Sequence, residues 1–128
     1  MKLLLDTHVV IALIDESVTA LPPTVGRLLE AQDAELLCSV ASLWEIAIKH
    51  RLGKLPLCRP LDALPDAIAV MGVDILAVSV AHVLTSVEPE PPTRDPFDRL
   101  LIAQAIHESL PILTHDEAFA RYPVKVIW

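Results

Sequence analysis

The 128-residue sequence has few aromatic residues, cysteines and glycines, and these shortages narrow the protein classes it fits. Aromatic residues make up 4% of the chain and hydrophobic residues 53%, so the core must be built from Leu, Ile, Val and Ala. That composition is typical of helices packed on a mostly parallel sheet. Cys38 and Cys58 form no CxxC or Cys/His spacing, which favours a reducing cytoplasm.

Long uninterrupted hydrophobic runs are also lacking. The longest apolar tract, residues 67–87, is broken by Gly72, Asp74 and His82, and a membrane helix needs about 20 apolar residues. The start MKLLLD leaves no room for the apolar region of a signal peptide before Asp6. We therefore predict no membrane segment and a cytoplasmic location.

The charge of the chain is unevenly distributed. Its net charge is -7, which on its face argues against a nucleic-acid partner. However, four of the ten basic residues lie in the segment KHRLGKLPLCR, and they are Lys49, Arg51, Lys54 and Arg59. Such a segment fits either a solvated helix end or a contact with a phosphate backbone.

Apolar runs of strand length alternate with segments of helical periodicity. Strands are predicted at residues 2–6, 34–39, 73–79, 111–116 and 124–128. Helices are predicted at residues 7–16, 22–32, 40–53, 61–72, 80–87, 96–109 and 117–122, with a proline-rich loop at 88–96. This alternation predicts a single α/β domain over residues 1–128, with a parallel sheet covered on both faces.

Four acidic residues fall at one edge of this predicted sheet. Asp6 ends the first strand, Asp116 follows the fourth, and Glu45 and Asp98 lie on the first turns of two helices that begin at the same edge. The carboxyl ends of parallel strands form the usual ligand crevice of such folds. Because four carboxylates in one place repel, a divalent cation is expected among them, and oxygen ligands suit Mg²⁺ or Mn²⁺.

Each acid also has a purely structural interpretation. Asp6 and Asp116 suit the N-caps of the helices that follow them, and in the segment DPFDRLLIAQA Asp95 suits an N-cap while Asp98 suits the first turn. Glu45 could complete an S-x-x-E capping box with Ser42 and pair with Lys49 four residues later. Only the joint placement of the acids at one edge favours a functional site.

Four segments of the sequence resemble the PIN-domain ribonucleases, and more narrowly the VapC-like toxins of type II toxin–antitoxin pairs. These segments are LLLDTHVVIALI, SVASLWEIAIKHRLGKL, DPFDRLLIAQA and ILTHDEAF, and the resemblance covers nearly the whole chain. It implies a three-layer α/β/α sandwich. Carried over position by position, it implies the acidic quartet Asp6, Glu45, Asp98 and Asp116, supported by Thr114 and with Asp95 as an additional acid.

The resemblance also implies an activity and partners. In the family, one or two Mg²⁺ or Mn²⁺ ions activate a water for in-line attack on an RNA phosphodiester, leaving a 5′-phosphate and a 3′-hydroxyl. Family members usually form homodimers and are inhibited by a cognate antitoxin. We assign Asp6 and Asp98 as the principal metal ligands. Contacts with the RNA backbone are assigned to Lys49, Arg51, Lys54 and Arg99.

Three other enzyme classes fit less well, and one non-catalytic class remains open. A phosphoryl-accepting receiver domain or a haloacid-dehalogenase-type phosphatase needs a second acid close to Asp6, and the next acid is Asp15. A metal phosphohydrolase with an HD motif, such as His115-Asp116, needs further histidine ligands in an all-helical fold. A PIN-like module that only binds a partner remains the alternative to a nuclease.

Overall fold

The computed structural model describes residues 1–87 and 95–128, so most of the predicted loop at 88–96 lies outside the described residues. Five strands form one sheet in the order β3-β2-β1-β4-β5, and all of their pairings are parallel. The strands are β1 (Lys2–Leu5), β2 (Glu35–Ser39), β3 (Val73–Leu76), β4 (Ile112–Leu113) and β5 (Val126–Ile127). The predicted α/β class with a parallel sheet is confirmed.

Within the described residues, six α-helices and three short 3₁₀ turns connect the strands. The helices are α1 (Thr7–Ile14), α2 (Pro23–Glu30), α3 (Val40–Arg51), α4 (Leu64–Val70), α5 (Val80–Leu84) and α6 (Pro96–Glu108). The 3₁₀ turns are Val18–Ala20, Leu61–Ala63 and Glu117–Arg121. None of the helices in the described ranges is long and apolar enough to cross a membrane.

The core has two parts because successive side chains of a strand point to opposite faces of the sheet. On one face, Leu3 and Leu5 of β1 pack with residues of α1, α3 and α4. On the other face, Leu4 packs with Leu101 and Ile102 of α6. This arrangement gives the expected three-layer α/β/α sandwich, with helices on both faces.

Several element boundaries differ from the sequence predictions. β3 ends at Leu76 instead of Ser79, and α4 begins at Leu64 after a separate 3₁₀ turn. β4 and β5 are only two residues long, since each pairs over two positions. Periodicity detects an apolar segment but does not show how many of its residues find a hydrogen-bonding neighbour.

The topology places the start of α3 and the start of α6 at the carboxyl edge of the sheet. α3 begins directly after the last residue of β2. α6 precedes β4 and runs back along the sheet, so its first turn lies at the edge where β4 ends. β1 lies in the centre between β2 and β4, so Asp6 follows the central strand.

Candidate active site

Asp6 is held in a fixed orientation at the end of β1. It is the N-cap of α1, and its Oδ1 accepts a hydrogen bond of 2.7 Å from the Thr7 N–H. Its Oδ2 accepts a hydrogen bond of 2.6 Å from the Thr114 hydroxyl, which follows β4. The backbone N–H of Asp6 also donates to the Leu113 carbonyl at 3.0 Å. The residue is 6% exposed, so the capping and site interpretations of Asp6 are compatible.

Thr114 connects two of the acids. Besides donating to Asp6, its Oγ1 accepts a hydrogen bond of 3.0 Å from the Asp116 N–H. Asp116 in turn is the N-cap of the 3₁₀ turn Glu117–Arg121, and its Oδ1 accepts from the Ala118 N–H at 2.9 Å. A hydroxyl that donates to one acid and accepts from the backbone of the other sets their relative positions.

Glu45 lies on α3 and pairs with Lys49 one turn later. The Lys49 Nζ donates to the Glu45 Oε2 at 2.6 Å, as the i,i+4 spacing predicts, and the residue Glu45 is 6% exposed. The possible capping box with Ser42 is wrong. Ser39 is the N-cap of α3, its Oγ accepting from the Ala41 N–H at 3.0 Å, and Ser42 is buried in the first turn where it accepts from the Thr7 hydroxyl.

Asp95 and Asp98 occupy the start of α6. Asp95 is the N-cap and accepts a hydrogen bond of 2.9 Å from the Phe97 N–H. Asp98 lies in the first turn, partly exposed. Partial burial, together with the charges of Asp95, Asp6, Glu45 and Asp116, raises the pKa of Asp98 to about 7.

Acids from other segments contribute to that pKa shift. Burial makes the largest contribution, and the Asp95 charge is the largest of the charge effects on Asp98, followed by those of Asp6, Glu45 and Asp116. The topology places these residues at the carboxyl edge of the sheet, because they follow β1 and β4 or lie in the first turns of α3 and α6. We call Asp6, Glu45, Asp95, Asp98 and Asp116 the acid cluster.

The carboxylates of the acid cluster are not in contact as a group. Within residues 1–87 and 95–128, the one set of three His, Cys, Asp or Glu ligand atoms within 4.8 Å of one another is His82, His107 and Glu108. These lie on α5 and at the other end of α6, where the His82 Nε2 is 2.7 Å from the Glu108 Oε1. A cation bridging three members of the acid cluster therefore requires their side chains to rotate.

The basic residues predicted to bind RNA lie in different places. The pKa of Lys49 is raised, chiefly by its hydrogen bond to Glu45 and further by the charges of Asp95 and Asp98, so Lys49 borders the acid cluster. Arg51 and Lys54 are exposed at the far end of α3, and Arg51 is about 9 Å beyond Glu45 along the helix axis. Arg99 lines a cavity between α5 and α6. Lys49 is thus in direct contact with a member of the acid cluster.

Two histidines beside the acid cluster were missed in the sequence. The His8 Nε2 is 3.4 Å from the Asp6 Oδ2 and accepts from the His115 N–H at 3.3 Å. The two imidazole rings lie 3.9 Å apart, and both contact Trp128. Burial lowers the pKa of His8, although the charge of Asp6 opposes this effect. The sequence signal for a role of His8 and His115 at the site is that they lie within two positions of Asp6 and Asp116.

Comparison with known proteins identifies the family. The model of the PIN domain family matches residues 3–125. The chain belongs to the PIN domain family. Over 48 residues it is 48% identical to ribonuclease VapC16 of Mycobacterium tuberculosis, a match that covers 37% of this chain and 34% of that protein. The chain thus spans about a third of the length of this curated relative.

Solved structures share the fold of this PIN domain. The VapBC2 complex of Rickettsia felis, bound to a DNA fragment of its promoter, contains a chain with a TM-score of 0.68 and 17% identity, covering 99% of this chain and 98% of that one. A toxin–antitoxin complex of Klebsiella pneumoniae contains one with a TM-score of 0.56 and 18% identity, covering 98% and 95%. At these identities the similarity supports the fold alone.

Proposed function

We propose that this PIN domain is a metal-dependent endoribonuclease and the toxin of a VapC-like toxin–antitoxin pair. The observation that supports the proposal is the placement of acids from the end of β1, from α3, from α6 and from the segment after β4 at the carboxyl edge of one parallel sheet, where burial and the neighbouring acids raise the pKa of Asp98. A structural role for each acid explains its hydrogen bonds. It does not explain why acids from four segments share one edge.

The acid cluster fits a hard divalent cation. All of its donors are carboxylate oxygens, the ligands that Mg²⁺ and Mn²⁺ prefer. In the absence of a cation, the negative charges are balanced in part by Lys49 and in part by protonation of Asp98. We assign Asp6 and Asp98 as the principal ligands and Glu45 and Asp116 as further ligands. Asp95 mainly caps α6, where its charge also raises the proton affinity of Asp98.

Different residues have separate roles in the proposed reaction. A bound divalent cation supplies activation of water and stabilisation of charge on the phosphodiester. Thr7 and Thr114 orient the Asp6 carboxylate through hydrogen bonds to its two oxygens. Lys49 holds Glu45 and offers an ammonium group beside the cluster, where a phosphate of the RNA backbone can bind.

The proposed partners follow from the same charges. An antitoxin can inhibit the enzyme by placing an Arg among the carboxylates, because a guanidinium binds carboxylate bidentately and replaces the charge of the cation. We also propose a homodimer, as the family resemblance implies, in the cytoplasm.

The test is cleavage of RNA by the purified protein with Mn²⁺ or Mg²⁺ and with EDTA. We expect cleavage only with the cation, and loss of cleavage in Asp6→Asn and Asp98→Asn. Asp66→Asn is the matched control, because Asp66 is an exposed acid in the first turn of α4 and lies outside the acid cluster. A parent protein that binds RNA but never cuts it would identify a binding module instead.

A further inference from the structure

Two aromatic side chains lie in the N-terminal halves of α3 and α6, each next in sequence to a member of the acid cluster. Trp44 directly precedes Glu45 on α3, and Phe97 directly precedes Asp98 on α6. Their rings make a T-shaped contact, with centroids 5.5 Å apart and an interplanar angle of 80°. The pair therefore joins the two helices that carry two of the proposed metal ligands.

The Trp44 ring contributes little buried surface to the fold. It is 60% exposed, whereas its neighbour Glu45 is buried. A single exposed hydrophobic residue needs no special explanation. Trp44 and Trp128 differ from the exposed aliphatic residues because ring partners hold them in place. Trp44 is the more exposed of the two, and its helix and that of its partner Phe97 each carry a proposed metal ligand.

We propose that the Trp44–Phe97 pair is a stacking platform for one base of the RNA substrate. The inference rests on the proposed function, which places a phosphodiester over the acid cluster. Because Trp44 precedes Glu45 and Phe97 precedes Asp98 in the chain, the base of that nucleotide or of its neighbour is the group proposed to meet the exposed indole.

The chemistry of the platform suits an unpaired base. Stacking on an aromatic side chain is available to every base, because each has a π-face. Trp loses little conformational entropy on binding, since its side chain has two torsions. The Phe97 contact restricts the indole further. Beside it, the partly exposed Lys49 ammonium can bind the backbone phosphate, so one nucleotide is held at both its phosphate and its base.

A second copy of this chain is the competing occupant. Val40, Trp44 and Leu52 are all exposed at one-turn and two-turn spacings along α3, and such a stripe can also form a protein contact. A contact between two copies would bury aliphatic side chains as readily as aromatic ones. It therefore predicts a different response to substitution.

The test measures the affinity of a short single-stranded RNA with Ca²⁺ in place of Mg²⁺, with gels to confirm that the RNA stays intact. We expect Trp44→Leu to raise Kd about 5- to 100-fold and Trp44→Phe to retain most of the affinity, because stacking needs a ring. Leu52→Ala is the matched control, since Leu52 is 62% exposed just beyond α3, and it should leave Kd unchanged. Thermal unfolding verifies that each variant is folded.

RNA with a single abasic position identifies the stacked base. In the parent, one abasic position should raise Kd as much as Trp44→Leu does, and in Trp44→Leu that position should have no further effect. Additive effects at every position, or an unchanged Kd in Trp44→Leu, would overturn the platform. So would a shift of the sedimentation coefficient in both Trp44→Leu and Leu52→Ala with RNA affinity unchanged, which would identify a contact between copies.

The outcomes separate this inference from the proposed function. Cleavage by the parent without any coupling between Trp44 and a base removes the platform and leaves the nuclease. If Trp44 is coupled to one base but the parent does not cleave RNA, the platform is supported and the nuclease activity is refuted. A parent that does not bind RNA at all overturns both.

Discussion

Replacing Asp98 by Asn distinguishes a metal ligand from a first-turn acid, because burial and the charges of the acid cluster raise the pKa of this side chain to about 7. The folded protein then binds a proton at Asp98 more tightly than the unfolded chain does. The free energy of unfolding therefore falls as the pH rises from about 4 to about 7, and the full penalty applies above that range. Asn is neutral at every pH, so Asp98→Asn does not lose stability in this way as the pH rises.

The size of the effect follows from the shift. A pKa raised from 3.8 to about 7 corresponds to about 4 kcal/mol without screening. Asp98 is partly exposed, so solvent reduces this figure, and we expect about 1–2 kcal/mol. In EDTA at pH 8, Asp98→Asn should therefore unfold roughly 3–8 °C above the parent, and the difference should shrink as the pH falls toward 4.

Added Mn²⁺ should reverse the order of the two proteins. A cation that binds the folded parent stabilises it by about 2.7 kcal/mol at a concentration 100 times its Kd, and Asp98→Asn should gain much less. The control Asp66→Asn should lose about 0.3–1 kcal/mol at most, as expected for an acid near a helix N-terminus, and should respond to Mn²⁺ like the parent. An Asp98→Asn protein that is less stable than the parent in EDTA at pH 8, or that keeps the parental cleavage rate, would refute this reasoning.

Three further substitutions test individual hydrogen bonds. Asp95→Ala should cost about 1 kcal/mol in urea unfolding because the cap of α6 is lost, whereas an Asp95→Asn cost of similar size would contradict a capping role. Thr114→Val should slow Mn²⁺-dependent cleavage while Thr114→Ser largely restores it; equal rates for Val and Ser would show that the hydroxyl contact with Asp6 is not used. Gln104→Met should cost about 1–3 kcal/mol in urea unfolding, because the buried Ser39 hydroxyl loses its acceptor at 2.5 Å, and a neutral result would show that water replaces it.

The fold, and the placement of the candidate acids at one edge of the sheet, could be predicted because both depend on short-range patterns. Alternating strand and helix periods predict a parallel sheet, and a parallel sheet has one carboxyl edge. The acids that follow strands or begin helices can then be assigned to that edge without knowledge of the strand order. The proximity of Asp6, Glu45 and Asp116 to Asp98 agrees with this assignment.

Contacts between polar or aromatic side chains distant in sequence could not be predicted in this way. Gln104 is buried, accepts from Ser39 and donates to the Ala77 carbonyl, although glutamine is a residue type that is mostly exposed in proteins. His8 and His115 stack although more than 100 positions separate them. No periodic pattern reports such pairs, because their proximity depends on which strands become neighbours. The length of each strand depends on the same choice, and β4 and β5 are shorter than predicted for this reason.

The strand order also determines when the acid cluster can exist during synthesis of the chain. β1 pairs with β2 on one side and with β4 on the other, and β4 comes from residues 112–113. Thr114, which orients the Asp6 carboxylate, is 108 positions downstream of it. At about 5–20 residues per second, a ribosome needs about 5–20 s to add that stretch. For most of that interval a nascent chain has Asp6 and Glu45 but neither Thr114 nor Asp116, so a domain of this topology assembles its acid cluster only after residue 116 has been added.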